Sequence, residues 1–549
     1  MTRLINKPIL FALLILWAGL AFGQTHSFTH QDTLRGTITK ERKWWDLKYY
    51  HLSVKVNPAD STLTGSNVIK YKVLEPYTVM QIDLQTPLNI TRVTQEGKPL
   101  TYTRDGNAYF VKLEKKQIKG NINSIIVEYA GKPRVSKNPP WSGGLTWKKD
   151  SKGNDYITTS CQGIGASIWW PCKDHQYDEP DSMLISITVP KNLMDVSNGR
   201  LRKVTENEDG TKTFDWFVSS PINNYCVNMN IGNYVHFGEK YKGEKGILDC
   251  DYYVLPEDLD KAKEQFKQVK LMLEALEYWF GPYPFYKDGY KLVEVSYLGM
   301  EHQSSVTYGN GFMNGYRGRD VSGSGWGLKF DFIIIHESSH EWYGNSITSK
   351  DIADMWIHES FGAYSESLYT DYHFGKKAGS EYLIGTRRSI RNDRPIIGVY
   401  NVNNEGSGDM YSKGANMLHT LRQVVNDDTK FRNMIRNISK TFYHQTVTTK
   451  QIEDFMSKQT GMNLAPFFNQ YLRTVKIPTL EYSIADGILK YRWTNIVDGF
   501  AMPLKVKLGE KEVWLRPDKD WKEMKTSGGT VLTADPNFYV FTKNLDEKK

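Results

Sequence analysis

Cysteine is scarce in this sequence. The 549 residues contain four cysteines, Cys161, Cys172, Cys226 and Cys250, all in the first half of the chain. Their spacing matches no zinc finger, so we interpret them as structural or free thiols and not as metal ligands. If the chain is exported, disulfides become possible, and four cysteines allow three pairings that the sequence does not distinguish.

A strong charge of one sign is also missing. The formal net charge is +8, from 70 basic and 62 acidic residues spread along the chain. No cluster of lysine and arginine with interleaved aromatic residues stands out, so we expect a solvated surface and no nucleic-acid partner. Internal repeats and low-complexity linkers are absent from the sequence as well.

Only the amino terminus carries a long hydrophobic run. Arg3 and Lys7 precede the apolar residues 9–20, and Ala21-Phe22-Gly23 forms a small-residue exit. We interpret residues 1–23 as a signal peptide and not as a membrane anchor, because about 20 apolar residues are needed to cross a bilayer. We therefore expect an exported protein, periplasmic or secreted, with no stable membrane insertion after cleavage.

The length predicts three or four domains. Alternation with a period of two, for example in residues 50–56 and 67–73, predicts β-strands throughout the first part of the chain. We expect an N-terminal antiparallel β domain over residues 24–234, saddle-shaped or sandwich-like, in a multidomain α+β protein.

The pattern changes near Pro256. A helix is predicted from Pro256 to Phe280, and helical periodicity dominates from Lys329 to about Gln470. These patterns predict a helix-rich catalytic domain over residues 235–475. The β pattern then returns, with a hairpin signal around Asp486-Gly487, and predicts a small C-terminal β domain, sandwich-like and ending in a charged tail, over residues 476–549.

A metal-binding pattern lies inside the helical part. In His336-Glu337-Ser338-Ser339-His340, the two imidazoles are four residues apart and project from one face of a helix, which we expect to end at Gly344. This H-E-x-x-H arrangement is typical of catalytic zinc. The alternative is a pair of core histidines that happen to have this spacing.

Glu359 follows His340 after an interval of eighteen residues, on a second predicted helix. Its position predicts that Glu359 is the third metal ligand. The adjacent His358 lies about 100° around the same helix and would face elsewhere. Two histidines and one glutamate leave a coordination position open, which distinguishes a catalytic zinc from a structural one. We expect one zinc ion per chain.

With its surroundings this pattern resembles the gluzincin metallopeptidases of the aminopeptidase N family, which includes the leukotriene-hydrolysing aminopeptidases. The agreement extends to Trp342, Gly344-Asn345, Asp354, Trp356 and Phe361. Upstream, Gly299-Met300-Glu301-His302 resembles the family's G-x-M-E-N motif, with His302 in place of the asparagine. Downstream, Tyr411-Ser412-Lys413-Gly414 is similar to its Y-x-K-G segment.

Two further stretches extend the resemblance into the β domain. Thr159-Ser160-Cys161-Gln162 is similar to the substrate-pocket glutamine segment of the leukotriene-hydrolysing branch. Trp170-Pro171-Cys172 and Asp178-Glu179-Pro180 resemble the family's W/F-P-C-x-D-E-P stretch, here split by an insertion. The matches thus run from about Gln162 to Gly414.

The resemblance implies a thermolysin-like catalytic domain and a role for each matching residue. Glu337 would be the general base and Tyr411 would stabilise the oxyanion. Glu301 would bind the free α-ammonium group of a peptide, and Gln162 would hold that amine or line the first side-chain pocket. The remaining substrate-binding candidates are Gly299 and Met300, and Asp354 is a candidate that orients a metal ligand.

The resulting hypothesis is a zinc aminopeptidase that acts on peptides with a free amino terminus. The alternatives are an endopeptidase of the same zinc class and a non-enzymatic peptide-binding protein on this scaffold. A third alternative is an aminopeptidase with added epoxide hydrolysis, as in the leukotriene branch. The sequence resembles a short form without the family's large helical C-terminal domain, so we expect a more open cleft. It carries no signal for an oligomeric state.

Overall fold

The computed structural model describes residues 27–527 and 530–546. The predicted signal peptide, residues 1–23, lies outside the described residues and stays a prediction. Within the described part of the chain, no helix combines the length and the apolar character that a membrane span requires.

The first region is built almost entirely of strands. Its elements are α1 (His30–Gly36), α2 (Lys40–Lys43), β1 (Trp45–Asn57), β2 (Thr62–Val73), β3 (Val79–Asp83), β4 (Asn89–Gln95), β5 (Lys98–Pro99), β6 (Thr101–Asp105), β7 (Ala108–Lys112), β8 (Ile122–Gly131), β9 (Gly144–Lys149), β10 (Asp155–Ser160), β11 (Ser182–Pro190), β12 (Met194–Val196), β13 (Arg200–Glu206), β14 (Thr211–Val218) and β15 (Asn230–Gly232).

The large sheet of this region has the order β13-β14-β11-β1-β2-β8-β4-β5. Alternate side chains of β1, among them Tyr50, Leu52 and Val54, are buried, as the period of two predicts. The expectation of an antiparallel sheet is wrong at one place, because β1 pairs in parallel with β11. The long stretch of chain between the two strands supplies the crossover that a parallel pair needs.

The second region combines a sheet with helices. Its elements are β16 (Val235–Gly243), β17 (Gly246–Val254), α3 (Leu259–Gln265), α4 (Gln268–Phe280), β18 (Tyr290–Glu294), β19 (Gly299–Met300), β20 (Val306–Tyr308), α5 (Phe332–Ser339), β21 (Ile347–Ser349), α6 (Trp356–Phe374), α7 (Lys376–Thr386), α8 (Ser412–Val425), α9 (Asp428–Thr441), β22 (Gln445–Val447), α10 (Thr449–Thr460) and α11 (Ala465–Leu472).

Its sheet has the order β16-β17-β18-β20-β19, so that β19 is an edge strand. The single helix predicted from Pro256 to Phe280 is wrong in detail. The chain makes a short 3₁₀ turn, then α3, and then a separate helix α4, with the break at Phe266 and Lys267. Phe266 is buried at this break among aromatic side chains, and this packing overrides the continuous helical periodicity.

The third region is a small set of strands. They are β23 (Thr479–Ala485), β24 (Ile488–Thr494), β25 (Leu504–Leu508), β26 (Lys511–Leu515), β27 (Lys522–Lys525), β28 (Leu532–Ala534) and β29 (Phe541–Asn544). The predicted hairpin is present: β23 and β24 pair antiparallel, and Asp486 and Gly487 have φ angles of 50° and 71° at the turn. Its apolar side chains join the core of the second region, where the Tyr471 hydroxyl donates to the Tyr539 carbonyl at 2.8 Å.

The start of α5 is fixed by a buried aspartate. The Asp331 carboxylate accepts hydrogen bonds from the backbone of Ile333 at 3.0 Å and Ile334 at 3.3 Å, as an N-cap does. Its other oxygen accepts from the Tyr308 hydroxyl and the Gln265 amide, each at 2.7 Å. Burial raises the pKa of Asp331 to about 6, although these hydrogen bonds oppose the shift.

The helix ends earlier than expected. The sequence predicts a continuous run to Gly344, whereas α5 ends at Ser339 and His340 is its C-cap. After His340 the chain turns so that the Tyr343 carbonyl contacts His340 Nδ1 at 3.0 Å. The helix ends at this point because the turn that follows bonds the second histidine of the motif to the backbone.

We predict that Asp331→Ala lowers the melting temperature more than Asp331→Asn does. Alanine removes the N-cap and leaves the Tyr308 hydroxyl without its acceptor, whereas asparagine keeps an oxygen acceptor at the cap. We expect a cost of about 2 kcal/mol or more for the alanine variant. Scanning calorimetry of both variants tests this, and equal melting temperatures would contradict the capping role.

Candidate active site

Three predicted ligands meet at one point. His336 on α5, His340 at its end and Glu359 on α6 are all buried, with their ligand atoms within 4.8 Å of one another. Glu359 Oε2 lies 3.8 Å from His336 Nε2 and 3.5 Å from His340 Nε2. Since two ligands at 2.1 Å from one tetrahedral ion are about 3.4 Å apart, this spacing suits a single ion.

Each imidazole is oriented through its other nitrogen. His336 Nδ1 lies 2.8 Å from Glu366 Oε1, and the Tyr382 hydroxyl donates to the second oxygen of Glu366 at 2.6 Å. His340 Nδ1 faces the Tyr343 carbonyl. With Nδ1 as the donor in both rings, Nε2 keeps its lone pair for a metal.

Glu366 was missed by the sequence reasoning, which proposed Asp354 for this orienting role. Asp354 lies elsewhere, because its carboxylate accepts from the Thr449 side chain and backbone at the start of α10 and from the Tyr400 hydroxyl. Glu366 follows Glu359 by seven residues, about two helical turns, so it lies on the same face of α6. That spacing is the signal that could have identified it.

His358 is turned away from this point, as predicted. Its Nε2 accepts a hydrogen bond from the Ser349 backbone at 2.7 Å. Burial lowers the pKa of His358 to about 3, so the ring is neutral and serves as a structural acceptor.

Glu337 lies on the cleft side of α5 and is buried. Burial raises the pKa of Glu337 to about 7, with the charge of His336 opposing the shift. Gly299 on β19 packs directly against this helix: a Cβ atom there would lie 2.7 Å from Ile333 Cγ2 and 3.2 Å from Glu337 Cγ. Only glycine allows β19 to approach the Glu337 side chain this closely.

A second carboxylate, that of Glu301, lies next to the three ligands. Gln162 links the two sides, since its Nε2 donates to Glu301 Oε1 at 2.6 Å and to Glu359 Oε1 at 2.8 Å. Burial, followed by the charges of Glu359 and Glu337, raises the pKa of Glu301 well above its usual value. Gln162 belongs to the β region, so both regions contribute to one site.

The backbone after Glu301 is buried but belongs to no strand. Three asparagine amides satisfy it: Asn345 donates to the carbonyl of Glu301 at 2.9 Å, Asn198 to Gln303 at 2.7 Å and Asn228 to Ser305 at 3.1 Å. Buried irregular backbone needs such partners because it has no ladder of its own. Asn198 and Asn228 come from the β region, which therefore helps to fix Glu301.

His302, which departs from the family motif, is buried behind Glu301. Its Nδ1 lies 3.4 Å from Thr307 Oγ1, and its Nε2 has no hydrogen-bond partner among the described residues. Burial lowers the pKa of His302 to about 3. The neutral ring therefore supplies no positive charge to Glu301, and the Glu301 backbone carbonyl is held by Asn345.

Tyr411 lines the cleft directly before the first residue of α8. Its ring stacks over His336 with centroids 6.0 Å apart, and the residue is 39% exposed to the cleft. Desolvation, followed by the charges of Glu359 and Glu301, raises the pKa of Tyr411 well above its usual value, so its hydroxyl remains a proton donor. Tyr400, the neighbouring tyrosine, is instead bonded to Asp354.

These groups line one cleft of about 940 Å³. Its lining includes all the predicted site residues: Gln162, Gly299, Met300, Glu301, His336, Glu337, His340, Glu359 and Tyr411. The outer rim includes Trp141, which is 62% exposed. Tyr411 and Trp141 are thus both partly exposed, and the open cleft stays a prediction.

This fold and this donor set define the class of zinc-dependent metallopeptidases. Residues 264–471 match the Peptidase family M1 domain, and residues 47–226 match the Peptidase M1 N-terminal domain. Together the two matches cover well over half of the sequence. The chain belongs to peptidase family M1.

Named relatives agree with this assignment. The chain is 24% identical over 413 residues to a leucyl aminopeptidase of Saccharolobus solfataricus, a match that covers 72% of this chain and 50% of the relative. It is 22% identical over 439 residues to the leukotriene A-4 hydrolase of Xenopus laevis, covering 75% of this chain and 68% of the relative. The chain spans about half the length of the first relatives that it matches.

A solved structure shares the fold. The M1 zinc metallopeptidase of Deinococcus radiodurans superposes with a TM-score of 0.67 at 21% identity, covering 82% of this chain and 99% of that protein. A match at this identity shows the shared fold and no more.

The residues present fit the zinc ion that the family implies. Glu359 Oε2, which faces both Nε2 atoms, is buried and has no hydrogen-bond partner among the described residues. A buried carboxylate oxygen without a donor is costly unless a cation meets it. Two imidazoles and one carboxylate are a usual donor set for catalytic zinc.

We predict that Glu366→Gln weakens zinc binding by about 10- to 100-fold, because His336 loses a charged partner that orients its ring. Competition with a fluorescent zinc chelator measures the affinity. Asp354→Asn is the matched control: the same chemical change at a residue bonded to Thr449 should leave zinc affinity unchanged. A larger effect at Asp354 than at Glu366 would refute the assignment.

Proposed function

We propose that this protein is a zinc aminopeptidase that hydrolyses the first peptide bond of peptides with a free α-amine. The observation that carries the proposal is the Glu301 carboxylate, buried beside the metal-binding residues and bridged to Glu359 through Gln162. A buried carboxylate beside a hydrolytic centre suits a substrate with a positive charge next to the scissile bond.

The cleft can hold the peptide in an extended conformation. β19 is the edge of its sheet and lines the cleft, so its outer backbone groups are available to an additional strand. A peptide paired along Gly299 and Met300 would run directly past Glu337. Gly299 keeps this approach free of a side chain.

The α-ammonium group would bind between Glu301 and Gln162. Glu301 supplies the negative charge, and the Gln162 side-chain carbonyl supplies a neutral acceptor once its amide donates to the two carboxylates. A bound amine at this point blocks further extension of the peptide in that direction. This restriction fixes cleavage after the first residue.

Zinc held by His336, His340 and Glu359 would supply Lewis-acid chemistry, polarising the scissile carbonyl and lowering the pKa of water. Glu337 takes the proton of the attacking water and passes it to the nitrogen of the leaving amine. The Tyr411 hydroxyl donates a hydrogen bond to the oxyanion that develops on the carbonyl oxygen.

We predict that Glu337→Gln lowers turnover by about 10²-fold or more while zinc content stays at one ion per chain, because the amide cannot accept the proton. Turnover of an aminoacyl amide and metal analysis of the same preparation give the two readings. Near-normal activity would remove Glu337 as the base. A fully zinc-loaded wild type without turnover of any aminoacyl substrate would favour the peptide-binding alternative.

The proposed role of Glu301 allows an aminopeptidase to be distinguished from an endopeptidase. We expect wild-type enzyme to cleave a free aminoacyl amide and to leave its N-acetylated form nearly untouched, since acetylation removes the positive charge that Glu301 binds. Glu301→Gln should lower kcat/KM for the free amine by about 10²-fold, the order expected when one partner of a buried charge pair is lost. Faster cleavage of the acetylated substrate would overturn the aminopeptidase proposal.

A further inference from the structure

One carboxylate in the cleft has no role in the chemistry above. Glu405 lies on the loop between Val399 and Ser407, just before Tyr411, and lines the same cleft. Glu405 Oε2 lies close to Gly163, the residue that follows Gln162: a Cβ atom added at Gly163 would be 3.5 Å from this oxygen. Burial is the main cause that raises the pKa of Glu359 and of Tyr411, and the charge of Glu405 adds to both shifts, so the carboxylate lies near these residues.

This carboxylate is not used in a hydrogen bond or an ion pair with any described residue. Two of the arginines that line the cleft, Arg394 and Arg35, have other acceptors. Arg394 donates to the Gly406 carbonyl at 2.7 Å, and Arg35 lies 3.9 Å from Asp174. Burial raises the pKa of Glu405, and the charge of Arg394 opposes this shift, so a cationic ligand group would compete with Arg394 for a carboxylate that accepts no hydrogen bond from a described residue.

The loop that carries Glu405 is held on both sides. On the catalytic side, the Gly398 backbone donates to the Ala353 carbonyl at 3.1 Å. On the other side, the Asn403 backbone donates to the Asp32 carbonyl at 3.2 Å, and the Thr37 hydroxyl donates to the Asn401 carbonyl at 2.9 Å. A loop fixed by these contacts presents its carboxylate at a defined place, as a selective pocket requires.

The position of Glu405 relative to the amine site indicates which part of a substrate it meets. Gln162 contacts Glu301, where the α-ammonium group binds, and Gly163 separates Gln162 from Glu405. The first side chain of the substrate leaves the backbone one bond from that amine, so it can extend past Gly163. Ile352 and Met355 also line the cleft, and Ile352 borders a smaller cavity together with Gly163, so apolar surface is available for the methylene groups of a long side chain.

We propose that Glu405 makes this site selective for peptides whose first residue is lysine or arginine. The inference rests on the proposed aminopeptidase function and names its substrate class. The cationic end of the side chain meets the Glu405 carboxylate, its stem covers the apolar wall, and Glu301 holds the α-ammonium group. An acidic first residue would face Glu405 with a like charge and is disfavoured.

The test compares kcat/KM for arginyl, lysyl, leucyl and alanyl 7-amido-4-methylcoumarins with the full-length, zinc-loaded enzyme. We expect arginyl and lysyl substrates to exceed leucyl by at least about 10-fold in wild type, and Glu405→Gln to lower the first two by about 10- to 100-fold. The leucyl and alanyl values should change by less than about 3-fold, because they never contact the carboxylate.

Two further variants control the charge argument. Arg394→Gln removes the neighbouring positive charge and should keep or raise the ratio of arginyl to leucyl turnover, the opposite direction to Glu405→Gln. Glu510→Gln makes the same chemical change at an exposed residue in the turn between β25 and β26. It should leave the ratios of kcat/KM among the four substrates unchanged.

Equal loss for all four substrates in Glu405→Gln, or a wild type that prefers leucine, would overturn the role of Glu405 while leaving the aminopeptidase function intact. If wild type cleaves no aminoacyl substrate, the proposed function fails. Calorimetry with L-argininamide and L-leucinamide then decides the binding preference separately. Tighter binding of L-argininamide that is lost in Glu405→Gln supports the subsite, and equal binding of the two amides refutes it.

Discussion

The rest of the site depends on one electrostatic constraint: three carboxylates are buried together at the floor of the cleft. Glu301, Glu337 and Glu359 share this space with the imidazoles of His336 and His340. Burying a carboxylate is unfavourable unless a cation or hydrogen-bond donors meet it. Such a site is stabilised when positive charge enters it. The three metal ligands meet at one place for that charge, and we propose that Glu301 marks a second place, for an ammonium group.

The fold stabilises this concentration of charge by fixing each group from behind. Glu366 and the Tyr343 carbonyl orient the two imidazoles, and Asp331 sets the start of the helix that carries them. Buried asparagines from both regions hold the backbone after Glu301. The β region therefore contributes to the candidate site, because Gln162 contacts Glu301 and two of these amides contact the backbone that follows it.

Much of this was predictable because it depends on local periodicity or on a short motif. The alternating strands, the hairpin at Asp486 and Gly487 and the spacing of His336, His340 and Glu359 are all readable from neighbouring residues. The predictions that proved wrong depended on packing. The break near Phe266, the early end of α5 and the parallel pairing of β1 with β11 are decided by contacts between distant segments.

The sequence by itself determined the chemical identity of the site: the residue types, the helical spacing that puts two imidazoles on one face, and the resemblance that identified Glu301 and Tyr411. Only the tertiary structure decided which neighbours act on them. It replaced Asp354 with Glu366 as the partner of His336, turned His302 into a buried neutral residue and brought Glu405 beside Gly163. The physical reason is that a motif fixes geometry within a few helical turns, whereas hydrogen-bond partners and local charge come from chain segments that meet only on folding.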